Sequence, residues 1–253
     1  MSASGNGRSG RRSTPRGPQL QLIRQTSSLG AEADLQRALD LLQSTREPGV
    51  GPMLRIYRPQ PTVAFGQRDA KLPGFEEAAR RSRALGFEPL VRRAGGRAAA
   101  YSPGSLVVDH IEPDADPIRE SRDRFVAFGE LFADALQNAG LDAVMAPLPA
   151  EYCYGDHSVH GIHPDQADVR LKLVGTAQRQ VASGWLFSTS IVIEDGPRIR
   201  RVLAEVYDAL GLEWDPLTAG SADELNPDLT VYSVEQAILE TYSTYWNVLE
   251  PIG

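Results

Sequence analysis

The sequence predicts an α+β fold built on a mixed, largely antiparallel sheet, and three observations lead there. Several short stretches alternate apolar and polar residues with the two-residue period of a strand. Between them lie amphipathic stretches with the 3.6-residue period of a helix. No internal repeat and no linker divides the body of the 253-residue chain, which is long enough to bury a sizeable core.

In chain order, LGAEADLQRALDLLQ places Leu35, Ala38, Leu39 and Leu42 on one face and predicts a helix. MLRIYRP and TVAFG alternate as strands on either side of the Pro-rich PQP. GFEEAARRSRALGF predicts a helix that stops at Gly86, followed by the short strand EPLVRR. SLVVDHI is a strand, and after a Pro/Asp-rich break a long helix runs from about Ile118 to Asn138, closing at Gly140. AVMAPLP leads into a stretch, 149–168, expected to be irregular. RLKLVG and WLFSTSIVIE are expected as strands flanking a Gly-Thr-Ala turn. PRIRRVLAEVYDALG and SVEQAILETYSTYW complete the set as helices.

Charge narrows the classes of function. Residues 1–31 carry five arginines and no acid, which leaves 21 cations against 33 acids in the rest of the chain. A body this acidic is not expected to bind nucleic acid, because phosphate contacts need clustered cations. The Gly/Ser/Arg-rich start, residues 1–18, is expected to be a disordered tail ahead of a single domain over 19–253. No apolar run reaches membrane-span length and no signal-peptide core is present, so no membrane partner is expected. A single cysteine, Cys153, excludes an intrachain disulfide and points to the cytoplasm.

Only two lysines occur, Lys71 and Lys172; every other basic residue is arginine. Strand alternation in VRLKLVG puts Val169, Leu171 and Leu173 on one face and Arg170, Lys172 and Val174 on the other. The residues alone allow Lys172 to be a solvated strand lysine or the cation of a cleft. In the cleft reading, a compact ammonium meets an acyl oxygen or phosphate beside the amides of Gly175, Thr176 and Ala177. A second glycine feature, RRAGGRAAAYSPGS, reads as a plain hairpin or as a ligand loop. As a ligand loop, Arg92 and Arg93 are placed to neutralise an anion.

Taken together, these two features resemble the lipoate-protein ligase and octanoyltransferase superfamily, which includes biotin-protein ligases. The first signature matches at Arg92, Arg93, Gly95, Gly96, Ala98 and Gly104, and the second at Lys172, Gly175, Ala177, Gln178 and Arg179, with Thr176 for Ser. The resemblance covers roughly residues 30–245 and implies helices flanking the sheet, as in the class II aminoacyl-tRNA synthetase and biotin ligase catalytic fold. It implies that Lys172 is catalytic and that the glycine loop lines an acyl pocket. The implied substrate-binding set is Arg92, Arg93, Gly95, Gly96, Arg97, Tyr101, Gly175, Thr176 and Ala177. Arg97 stands where the family has a third glycine, where it would narrow the pocket or contact a phosphate. Val174 replaces a Ser, and Phe187, Ser188 and Thr189 stand where ligases often carry His-His-Gly.

One branch of the superfamily uses a cysteine ahead of the lysine strand. Cys153 lies 19 residues before Lys172 and is the candidate nucleophile; a small buried residue is the other reading. CYGDHSVHGIH also gathers His157, His160 and His163, but at no standard zinc spacing, and no metal is expected. His110 is read as structural.

The implied activity is protein lipoylation: an octanoyl or lipoyl group moves onto a lysine of a lipoyl domain, in a 2-oxoacid dehydrogenase or the glycine cleavage H protein. The donor is an acyl carrier protein thioester attacked by Cys153, or an acyl-AMP made with ATP and magnesium. Biotin ligation, or a catalytically degenerate protein that binds a lipoyl domain or acyl chain, are the alternatives.

Overall fold

The computed structural model describes residues 17–250, so nearly all of the expected 1–18 tail lies outside the described residues. Chain tracing begins with β1 (Gln19–Gln25), in which Leu20 and Leu22 alternate with glutamines and are buried. This strand was not expected, although its period-2 pattern is plain in QLQLIRQ. Then come α1 (Ala31–Ser44), β2 (Met53–Tyr57), β3 (Thr62–Phe65), α2 (Phe75–Ala84) and β4 (Glu88–Val91). They are followed by β5 (Ala99–Tyr101), β6 (Ser105–Pro113), α3 (Ser121–Asn138) and β7 (Ala143–Met145). The remainder is β8 (Val159–His163), β9 (Gln166–Val181), β10 (Gly184–Val192), α4 (Gly196–Leu210), α5 (Val231–Tyr245) and β11 (Asn247–Leu249).

Eight strands form the main sheet in the order β11-β1-β2-β6-β10-β9-β8-β7. Only β1 pairs in parallel, with β11 and β2; every other pairing is antiparallel. The sheet is therefore mixed and largely antiparallel, as expected. Its two faces bury different things. Leu54, Val108 and Phe187 look toward the Phe and Leu side chains of α3 and the apolar stripe of α5, in the largest core. Met53 and Leu186, one step along, and Ile111, which pairs with both, pack instead under Ala38, Leu41 and Leu42 of α1. A second, three-stranded sheet, β4-β3-β5, has its own core with α2 and α4.

Three expectations about strands change. Gly175, Thr176 and Ala177 are not a turn: they sit within β9, paired to Ser190, Thr189 and Ser188, and the hairpin turns at 182–183. Residues 149–168 are not irregular throughout, because β8 and the start of β9 lie inside that range. The glycine loop is not a plain hairpin either. β4 and β5 do not pair with each other but flank β3 on opposite sides, so residues 92–98 cross over the end of β3.

The fourth change fixes the site. His160 pairs with Lys172 and Val159 with Val174, which leaves Leu173 without a partner. This is a β-bulge, and it shifts the phase of everything after it. Leu171, Leu173 and Val174 all enter the main core, so Val174 does not share a face with Lys172. Gly175 does: a Cβ built on Gly175 would lie 3.8 Å from Lys172 Cε.

Candidate active site

Lys172 is buried, with 2% of its surface exposed, and its ammonium has two hydrogen-bond acceptors and one ion-pair partner. They are the carbonyls of Tyr152 at 2.9 Å and Cys153 at 3.0 Å, and Glu151 Oε1 at 3.2 Å. All three belong to one short stretch of the loop between β7 and β8. Glu151 is itself buried and accepts from Gly155 N at 3.0 Å and Ser158 Oγ at 2.5 Å. The Lys172–Glu151 pair thus closes the loop 151–158 on itself and onto β9.

Cys153 sits at the tip with φ of +46°, a left-handed conformation that costs a non-glycine residue of order 1–3 kcal/mol. Its peptide is held from both ends. The amide donates to Tyr207 Oη at 2.7 Å, and the carbonyl accepts from Lys172. Tyr207, on α4, in turn donates to the Ala98 carbonyl at 3.0 Å, which ties the cysteine loop to the glycine loop. Burial raises the Tyr207 and Tyr152 phenols far above their ordinary range, so both stay neutral.

The cysteine sulfur faces the glycine loop. Arg97 N lies 3.1 Å from Sγ, and Arg92 Nη2 lies 3.8 Å away while donating to the Arg97 carbonyl at 2.8 Å. Arg92 Nη1 reaches Tyr101 Oη at 3.4 Å. Gly96, at φ +98°, makes the approach possible: a Cβ there would stand 2.9 Å from Sγ and 2.5 Å from Arg92 Nη2. The Arg97 guanidinium lines neither cavity described below. It turns away to the buried Asp69 at 2.9 Å, and Asp69 also accepts from Gly66 N at 2.8 Å.

Two cavities meet here. A cleft of about 830 Å³ holds Cys153, Lys172, Gly95, Gly96, Thr176 and Phe125. A second cavity, about 280 Å³, runs beneath α1 among Leu35, Leu39, Leu90, Arg93, Leu186 and Ser188. Arg92, Gly175, Ala177 and Ser190 line both and mark the neck between them. Every residue of the expected binding set touches one cavity or the other except Arg97, whose backbone alone faces the sulfur.

The model of the lipoyl protein ligase A/B catalytic domain matches residues 32–243. This chain belongs to that family.

Curated relatives are octanoyl-[GcvH]:protein N-octanoyltransferases. That of an Exiguobacterium species is 29% identical over 76% of this chain and 66% of its own length, just under two thirds. The one from Anoxybacillus flavithermus is 25% identical over 89% and 84%. Among solved structures, the bipartite lipoate protein ligase of Thermoplasma acidophilum, studied with its E2 lipoyl domain, gives a TM-score of 0.66 at 17% identity. That match covers 93% of this chain and 86% of the other. A lipoate-protein ligase A bound with ATP gives 0.63 at 17% identity, covering 93% and 89%. The fold is that of the lipoate ligases, and the family is one of lipoyl- or octanoyl-handling enzymes.

Family membership does not explain every residue at the site. Glu151, Tyr207 and Asp69 had no signal in the sequence beyond Glu151 lying two residues before the cysteine. The three loop histidines do not converge. His157 stacks on Phe125 at the cleft, His160 is buried beside Arg170, and His163 caps the β8–β9 hairpin at Asp165 N. Among the described residues no group of three His, Cys, Asp or Glu is placed to hold a metal ion. His110 is packed among Phe128, Trp185, Tyr242 and Trp246, with Glu112 at 2.8 Å, which is a core position. Among the described residues no helix is long and apolar enough to cross a membrane.

Proposed function

We propose that this chain is a cysteine-dependent acyltransferase of protein lipoylation, moving an octanoyl group from a carrier protein to the lysine of a lipoyl domain. The observation that carries this reading is Cys153: a strained, doubly anchored residue whose sulfur faces backbone and guanidinium N–H groups in a cleft that shares Arg92, Gly175, Ala177 and Ser190 with an acyl-sized cavity. The carrier we favour is the octanoylated H protein that the relatives' names specify. An acyl carrier protein thioester is the other donor.

The Cys153 thiolate attacks the acyl carbonyl carbon, a C–S bond forms, and the carbonyl pair moves onto oxygen. Collapse breaks the bond to the donor nitrogen, which leaves as an amine with the proton the thiol gave up. The neutral amine of the acceptor lysine then attacks the thioester. The C–S bond breaks, the amine's proton is released, and the thiol is restored. The octanoyl chain lies in the cavity under α1, where burying its seven carbons beyond the carbonyl contributes about 6 kcal/mol, at roughly 0.8 kcal/mol per carbon.

A ligase acting through an acyl-adenylate would need Lys172 free to bridge acyl carbonyl and phosphate. Two of its hydrogen bonds go to backbone carbonyls and its charge is paired with Glu151, which favours the transferase. Intact-mass analysis of an apo lipoyl domain incubated with the protein decides between donors: octanoyl-H protein, octanoyl-acyl carrier protein, or octanoate with ATP and magnesium. The expected result is the octanoyl mass gain with a carrier-bound donor and its loss in Cys153→Ala. Gain only with ATP, retained by Cys153→Ala, overturns the proposal.

A further inference from the structure

Three residues of β10 mark depth into the cavity under α1. Ser190 lines both cavities at the neck, whereas Ser188 and Leu186 line the one under α1 alone. Successive members stand about 6.8 Å apart on one face of the strand, so the neck and Leu186 are separated by about 14 Å. On β9 the matching series is Gly175, Ala177 and Arg179, paired in turn to Ser190, Ser188 and Leu186. Gly175 and Ala177 line the neck, but Arg179 lines neither cavity and donates instead to the Arg93 carbonyl at 2.9 Å. Both strands therefore leave the cavity at the same row. Leu186 is 2% exposed and packs with Ala38, Leu41 and Leu42 of α1 and with Met53 and Ile111 of the sheet. What lies beyond it is filled core.

Roof and floor are held against parting. Ser188 donates to Asp109 at 2.7 Å, Asp109 is paired with Arg55 at 3.0 Å, and Arg55 reaches Asp34 on α1 at 3.1 Å. All three charged groups are buried, and lifting α1 would leave them unpaired, which costs more than a few extra buried carbons return. Because the Ser188 proton is already given to Asp109, its hydroxyl presents no unpaired donor to an alkyl chain. Volume agrees with this depth. An apolar cavity of about 150 Å³ takes benzene, so one of about 280 Å³ takes roughly eleven heavy atoms.

We propose that Leu186 is the stop that sets acyl length, with Ser188 gauging the middle of the cavity: the site takes saturated chains of about eight to ten carbons and excludes longer ones. This rests on the cavity under α1 being the acyl site. A longer chain meets the Leu186 side chain and the α1 core behind it, and its last carbons stay in the water of the cleft.

The test uses two readouts on the full chain. In the first, an apo lipoyl domain is offered equimolar octanoyl- and dodecanoyl-H protein, and intact mass gives the ratio of products, which is the ratio of kcat/KM. In the second, calorimetric titration with octanoate and with dodecanoate gives a binding ratio that needs no transfer. Wild type is expected to favour the octanoyl chain at least tenfold in both. Leu186→Ala removes an isopropyl group from the end of the cavity and is expected to raise the dodecanoyl share at least tenfold, at about fourfold per methylene buried. Ser188→Thr keeps a hydroxyl for Asp109 and adds a methyl to the middle. It is expected to lower octanoyl about tenfold against butanoyl, with butanoyl-H protein and butanoate as the reference pair. Should Leu186→Ala not fold by circular dichroism, Leu186→Val decides, with an expected rise of about fourfold. A dodecanoyl-to-octanoyl ratio equal to wild type in the Leu186 variant, or a Ser188→Thr loss equal for butanoyl and octanoyl, overturns the assignment. Shifted binding ratios without transfer from any donor would leave the stop standing and remove the transferase reading instead.

Discussion

At the residue scale, Gly96 sets how closely sulfur, guanidinium and backbone can approach. Its φ of +98° and the 2.5–2.9 Å approaches that a Cβ would make leave no room for any side chain. Gly66 plays the same part from behind, since a Cβ there would stand 1.9 Å from the Gly96 carbonyl oxygen. Gly96→Ala is therefore expected to push Arg92 and Cys153 apart. Octanoyl transfer should drop at least tenfold, and the fold should lose about 1–3 kcal/mol from a strained backbone. Transfer assays and denaturant unfolding on the same preparation check both parts. Wild-type transfer in the variant would mean that the loop relaxes freely.

Among the elements, β8 and β9 carry the site, because the bulge between them places Lys172 on the face of Gly175. His160 is fully buried there, opposite Lys172, and burial, then the Arg170 charge, lowers its pKa below the ordinary 6.5. The unfolded chain takes up a proton near pH 6.5 that the folded chain refuses until lower pH. Stability contributed by neutral His160 is thus full above 6.5 and is lost as pH falls toward the folded value, by at most about 1.4 kcal/mol per pH unit. His160→Gln is expected to flatten that loss between pH 7.5 and 5.5 in thermal or denaturant unfolding. Equal pH slopes in the two proteins would remove His160 as a source. At the other end of the sheet, buried Arg55 joins Asp34 on α1 to Asp109 on β6 at 3.1 and 3.0 Å. Asp109 also takes a hydrogen bond from Ser188, a residue of the cavity floor. The helix that roofs the cavity is in this way tied to its floor.

On the scale of the whole molecule, the cavity under α1, proposed to take the acyl chain, exists because two sheets and α1 meet without filling the space between them. Its neck is made by Arg92 and three small residues, Gly175, Ala177 and Ser190. Ala177→Leu should block the neck and leave the cleft with Cys153 open. The expected outcome is at least a tenfold loss with an octanoyl donor and a clearly smaller loss with a butanoyl donor. Equal losses with both would place the chain elsewhere.

Much of this was legible in the chain. Apolar periodicity reports the direction of each Cβ, a local property, so the five helices and most strands could be read directly, and the α+β class with them. The two glycine motifs and the lone cysteine were visible as residue types at fixed spacings. Strands β1, β5, β7, β8 and β11 were passed over: β5, β7 and β11 are three residues long, β8 lies in the stretch expected to be irregular, and β1 follows directly on a segment without pattern. What the chain could not display is pairing across distance. Arg92 and Cys153 are 61 residues apart, Tyr207 and Cys153 54, and Asp34 and Arg55 21. Strict alternation put Lys172 beside Val174, and only the pairing of β8 with β9 reveals the unpaired Leu173 that turns the lysine toward Gly175. The sequence by itself determined the elements and the chemical groups available. Tertiary structure decided which cation meets the sulfur and which meets a carboxylate, because a charge's effect is set by what lies within a few ångströms of it, and chain order does not record that distance.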